Sequence, residues 1–168
     1  MKVFKHITAL VVILALTACT KDDTPAYELT SENLSAGTYD ITYLTSNETE
    51  TVNINGLDII TEYSTIGETF QLSVDFFDNG TYIVDGQYVI NTLVTVADET
   101  VEESTVIVDI DNEQGTYTPN NNNMQLLLDE TLYDVTFFNA NELRLSYSEA
   151  YSEDGVDYFE TEEIRMAR

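Results

Sequence analysis

The chain has 168 residues, 31 of them acidic and 6 basic, for a formal net charge of −25. A hydrophobic fraction of 43% argues against global disorder, and the length suits one domain behind a short leader. Nucleic-acid binding needs a basic stripe to displace counterions, yet no Lys or Arg occurs between Lys21 and Arg144. The same gap excludes a polybasic patch for anionic lipid headgroups. His6 and Cys19 are the only His and Cys. Beyond them nothing remains for a His/Cys zinc site, a Ser-His or Cys-His nucleophile, or a disulfide. The expectation is a domain with no catalytic residue, no metal, no cofactor and no nucleic-acid partner.

Residues 1–18 read as a signal peptide. Lys2 and Lys5 form a charged start, and Ile7 to Ala15 is an apolar run too short to span a bilayer. Leu16-Thr17-Ala18-Cys19 resembles the lipobox of bacterial lipoproteins. That resemblance implies cleavage before Cys19 and its lipidation. Thr20-Lys21-Asp22-Asp23 resembles the surface-export signal of Bacteroidota lipoproteins. The implied location is the outer membrane, lipid-anchored and exposed at the cell surface, with the lipid as the membrane contact and the protein a monomer.

Residues 19–35 are polar, contain Pro25, and read as a lipidated N-terminus with a flexible tether. Glu32-Asn33-Leu34 suggests a short turn. From residue 36 to 168 the pattern has period two. Tyr39, Ile41 and Tyr43 alternate with polar neighbours, as do Phe70, Leu72, Val74 and Phe76, then Val106, Val108 and Ile110, then Leu143, Leu145 and Tyr147. Each such strand has one buried and one wet face, the antiparallel pattern. Turn signals separate the runs: Asn55-Gly56, Asp78-Asn79-Gly80, Asp85-Gly86, Asn112 to Gly115, Asn120 to Asn123, Asn139-Ala140-Asn141 and Asp154-Gly155. Many short strands joined by consecutive hairpins predict an all-β, antiparallel up-and-down barrel, with a β-sandwich as the alternative.

Four short stretches resemble lipocalins and lipocalin-like bacterial lipoproteins. Leu34-Ser35-Ala36-Gly37-Thr38-Tyr39 is similar to their Leu-x-Gly-x-Trp opening, with Tyr39 where the family has Trp. Val74 to Tyr82 resembles a family hairpin, and Gly115-Thr116-Tyr117-Thr118 and Asn141-Glu142-Leu143-Arg144-Leu145 resemble the last hairpins. The resemblance implies a barrel that binds a small hydrophobic or amphipathic molecule without catalysis. The alternative is a structural or protein/carbohydrate interaction module with a filled core. The resemblance also implies a late arginine, Arg165, across the ring of Tyr39. A surface arginine paired with an acid is the preferred expectation.

Phe70, Leu72 and Phe76 are the candidate ligand-binding residues, since their inward row can line a cavity or plug it. Tyr147, Tyr151 and Tyr158 are candidates for contact with sugar rings, against core packing. Asp109 to Gly115 lacks the glycine and glutamate spacing of a calcium loop and reads as an acidic hairpin turn. Asp98, Glu99, Glu102 and Glu103 read as a loop. Glu153, Asp154, Asp157, Glu160, Glu162 and Glu163 read as a hairpin tip and a strand face. Both clusters are expected to be solubilising surface.

Overall fold

A computed structural model describes residues 27–168. One short helix, α1 (Ser31–Leu34), is followed by eight strands. These are β1 (Tyr39–Ile54), β2 (Leu57–Phe77), β3 (Thr81–Val96), β4 (Glu99–Asn120), β5 (Gln125–Leu128), β6 (Thr131–Phe138), β7 (Glu142–Glu153) and β8 (Val156–Ala167). Each strand pairs antiparallel with the next, and β8 pairs back onto β1 from Asp40↔Ala167 to Val52↔Val156. The result is the expected up-and-down barrel of lipocalin-like type, and the sandwich alternative falls. Closure removes the sheet edges wherever all eight strands take part.

The expected turns at Asn55-Gly56, Asp78 to Gly80, Asn120 to Asn123, Asn139 to Asn141 and Asp154-Gly155 all separate strands. Two others do not. Asp85-Gly86 lies inside β3 and Asn112 to Gly115 lies inside β4. Both lie at one register shift between β3 and β4, with Gly86 at φ 123° and Asn112 at φ 49°. Asn and Gly signal tolerance of positive φ, and a bulge exploits that as readily as a turn. The adjacent strands shift register too, β2 around Thr69 and β1 after Ile41. The bulges bend β1 to β4 between a closed floor and a longer upper part. At Gly86 a Cβ would stand 2.0 Å from the Gln71 carbonyl oxygen, so only glycine fits. Conversely, Ala97-Asp98 and Asp129-Glu130 turn the chain without glycine, Ala97 and Asp98 both taking positive φ. The cluster from Asp98 to Glu103 is therefore a tight turn and the start of β4, not a loop.

The bulge after Ile41 also corrects the inward row of β1. Tyr39 and Ile41 are buried, but Tyr43 pairs with Arg165 on the outer face. The arginine guanidinium lies 4.4 Å from the Tyr43 ring centroid and its Nε donates to Glu163 Oε1 at 2.7 Å. The preferred expectation for Arg165, pairing with a surface acid, is what forms. The ring of Tyr39 is covered instead by Arg168, at 4.5 Å.

The floor holds the core. Leu72, Val74, Phe76, Tyr117, Leu126, Val135, Leu143, Leu145, Ile164 and Met166 converge there. Leu29 and Leu34, at 1% and 0% exposure, belong to the same cluster. Residues 27–35, expected in the tether, are thus part of the folded domain, and the domain boundary moves toward the N-terminus. Thr30 caps α1 by accepting from the Asn33 amide at 3.2 Å. The Leu29 amide donates to Asn121 Oδ1 at 2.8 Å, and Arg168 Nη2 donates to the Asn33 carbonyl at 3.0 Å. Two fully buried leucines at about 1.5–3 kcal/mol each explain why this segment docks and seals the floor.

Candidate functional site: the barrel mouth

The strands differ greatly in length. β5 has 4 residues and β6 has 8, whereas β2 has 21 and β4 has 22. Above the β5–β6 tip, only β7, β8, β1, β2, β3 and β4 continue, as a curved wall open on one side. Its inner face is fixed by register. β8 shows no bulge against β7, so Tyr158, Glu160 and Glu162 share the face of buried Ile164 and Met166. Pairing carries that face to neighbouring strands. Glu160 stands opposite Glu149 of β7 and Glu48 of β1, and Tyr158 stands opposite Tyr151 and Glu50. Glu48 in turn faces Tyr63 of β2.

The wall formed by β7, β8 and β1 is therefore a lattice of glutamates and tyrosines. The tyrosine hydroxyls donate to the carboxylates: Tyr133 to Glu162 and Tyr151 to Glu160, both at 2.8 Å, and Tyr63 to Glu50 at 3.4 Å. Tyr147 donates to Glu149. Tyr151 and Tyr158 stack with centroids 4.8 Å apart and planes 12° apart. Like charges directly opposite on paired strands repel. Burial first, then the Glu160 and Glu50 charges, raises the Glu48 carboxyl above its ordinary range. The hydrogen bond to Glu160 pushes Tyr151 up to about 12, and that to Glu149 does the same for Tyr147. Tyr158 and Tyr63 are also raised, by burial first and then by Glu50.

The opposite wall differs. On β3 the inner row is Tyr88, Ile90, Thr92, Val94 and Val96, and on β4 it is Glu102, Ser104, Val106, Val108 and Ile110. These rows are largely apolar. No cation balances the acidic wall among the described residues. Arg144 and Arg165 lie on the outer face of β7 and β8, paired with Glu142 and Glu163, and Arg168 is bound at the floor. Nor does any group of three or more acidic side chains among the described residues have an arrangement suited to a metal ion. The mouth can therefore attract a positively charged group, offer it aromatic faces, and offer an apolar body the facing wall.

The three expected ligand-binding residues separate. Leu72 and Phe76 are buried in the floor, Phe76 edge-on to Tyr117 at 4.9 Å and to Tyr39 at 5.9 Å. Phe70 sits higher, half-buried, stacked on Tyr88 at 6.0 Å. Its ring lies where a side chain at Gly67 would be, with a Cβ there only 2.7 Å from Cζ. Only Phe70 thus reaches the base of the mouth. Glu160 and Glu162, read as solubilising surface, face inward. The signal was present: Val156, Tyr158, Glu160, Glu162, Ile164 and Met166 share one parity. Tyr147, Tyr151 and Tyr158 lie in the mouth, hydrogen-bonded or stacked there. Asp109 to Gly115 forms no hairpin turn, because β4 runs through it. Cys19 and the expected signal peptide lie outside the described residues, and no described helix is long and apolar enough to cross a membrane. No family model, curated protein or solved structure matches this chain.

Proposed function

We propose that the protein is an outer-membrane lipoprotein, anchored by Cys19 and exposed at the cell surface, whose non-catalytic lipocalin-like barrel binds a small amphipathic molecule at its mouth. The observation that supports this most is the pairing of unlike walls. An apolar body packs against Ile90, Val94, Val106 and Val108, while a cationic head meets Glu48, Glu160, Tyr151 and Tyr158. Phe70 and Tyr88 form the base. The ligand does not enter the floor, where Leu72 and Phe76 are already packed. Cation–aromatic contacts contribute about 0.5–2 kcal/mol each, depending on how dry the site is.

The test compares dodecyltrimethylammonium with dodecanoate, both below micelle formation, by calorimetry on the chain from residue 20 onward. The cation binds saturably at one site, at least tenfold more tightly than the anion. Tyr151→Ala and Glu160→Gln each weaken it severalfold, while Leu93→Ala on the outer face does not. Equal binding of the two amphiphiles, or none, refutes the reading. Anchoring is tested separately. Intact mass of membrane-extracted protein shows cleavage before Cys19 plus acyl chains, and Cys19→Ala releases the protein from the membrane.

The packed floor favours a second reading, the interaction module with a filled core. It gains if neither amphiphile binds and extraction of protein from its own host yields no small molecule.

A further inference from the structure

The short β5 leaves most of β4 unpaired on one side. β3 covers β4 from Glu99 to Thr116, but β5 pairs only with Tyr117 to Asn120. From Glu99 to about Gly115 the other side presents backbone N–H and C=O groups to solvent, over roughly 50 Å of strand. Free edges of this length are normally blunted by proline, by charge, lysine above all, by bulges or by a covering element. Between Glu99 and Gly115 there is no proline or lysine, and the register shifts fall near the two ends, around Val101 and Asn112, leaving Glu102 to Ile110 regular. Three large apolar side chains are instead exposed along it: Val101 at 59%, Val106 at 49% and Ile107 at 70%. The charged residues on it are Glu99, Glu102, Glu103, Asp109, Asp111 and Glu113, all of one sign. An open groove of about 490 Å³ on the outer face, lined by Ile66, Leu93, Glu103 and Thr105 among others, borders this edge.

We infer that the free edge of β4 is a docking site for an extended, basic segment of another polypeptide, which adds to the sheet as a ninth strand. Main-chain hydrogen bonds supply the pairing, as in other strand-addition interfaces. Alternate apolar side chains of the guest meet Val106 and Val108 on the inner face. Its Lys or Arg side chains, on the outer face, meet Glu103 and Asp109. A second copy of this chain is disfavoured because it would bring acids opposite acids. The edge of β7 above Ser146 is also unpaired but much shorter. The inference does not need the mouth to bind a ligand, since the pairing rests on edge backbone groups; the two readings share only Val106 and Val108.

The experiment uses the chain from residue 20 onward and a blocked ten-residue peptide of alternating valine and lysine. Calorimetry gives affinity, and amide hydrogen exchange gives the location. The peptide should bind one-to-one and slow exchange of the amides between 101 and 111 at least tenfold. Its valine–glutamate counterpart should not bind. A version N-methylated at every backbone amide should lose at least tenfold in affinity. Glu103→Lys combined with Asp109→Lys should also weaken binding at least tenfold, and if that variant does not fold, Glu103→Gln and the peptide controls decide alone. Undiminished binding of the N-methylated peptide, protection confined to the mouth, or edge protection without peptide in a self-associated protein would each overturn the inference.

Discussion

Replacing Leu34 by alanine tests whether residues 27–35 belong to the domain. The side chain is fully buried at the floor with Leu29. Truncating a buried leucine costs about 2–5 kcal/mol, the transfer term plus the cavity left behind. Leu34 sits at the end of the barrel on a short segment that can settle inward, so the lower part of that range, about 2–3 kcal/mol, applies. With a urea slope of roughly 2 kcal/mol/M for a domain of this size, the unfolding midpoint should fall by about 1–1.5 M. The control is Leu57→Ala at the opposite end, 73% exposed, which should change stability by no more than about 0.5 kcal/mol. A chain starting at residue 36 loses Leu29, Leu34 and a partner of Arg168 together and should lose more than Leu34→Ala alone. If Leu34→Ala and Leu57→Ala behave alike, and the truncated chain is as stable as the longer one, the floor is closed without this segment and the reasoning fails.

Further expectations follow from the mouth, the bulges and the charge. Tyr39, Tyr147 and Tyr151 are each raised to about 12, Tyr39 by burial and the other two first by their glutamate hydrogen bonds. A folded value above the unfolded one near 10 gives stability that is complete below about pH 10 and lost as pH rises through about 12. Tyrosinate absorbance should therefore develop late in the folded protein and early in denaturant. Glu48 is raised as well, so its ionised form opposes folding. Glu48→Gln should raise the urea midpoint at pH 7 and lose that advantage as pH falls toward the ordinary carboxylate range, whereas an unchanged midpoint at pH 7 would show that neither burial nor the Glu160 and Glu50 charges penalise ionised Glu48. Gly86→Ala should destabilise by several kcal/mol, since a Cβ at that φ strikes the Gln71 carbonyl, and a neutral result would mean that β2 and β3 can separate there freely. Sodium chloride should raise the melting temperature by screening the net charge. Calcium should add no saturable shift, because Asp109 and Asp111 lie along an extended strand; a micromolar calcium effect would contradict this.

The sequence by itself determined the fold class. Period-two alternation needs only a core on one side and water on the other, so runs such as Leu143 to Tyr147 declare strands without knowledge of their partners. Asn-Gly, Asp-Gly and Asn-rich stretches marked five of the turns, because positive φ is a local steric property. The same locality made them ambiguous. Whether Gly86 and Asn112 turn the chain or merely bulge it depends on the partner strand, which only the assembled sheet supplies. The bulge after Ile41 then moved Tyr43 outward, beyond the reach of simple alternation. Leu29 and Leu34 looked like tether because two apolar residues among polar ones carry no period, and their value comes from a floor built by distant strands. Tertiary structure also decided the mouth. Glu48, Glu149 and Glu160 are over a hundred residues apart at the extremes, and only barrel closure of β8 onto β1 brings them level on one wall. Their inward phase was readable in β8, yet charge alone suggested solvent. The short β5 and β6 leave that wall open and wet, which lets carboxylates face inward at modest cost, and they leave β4 with a bare edge.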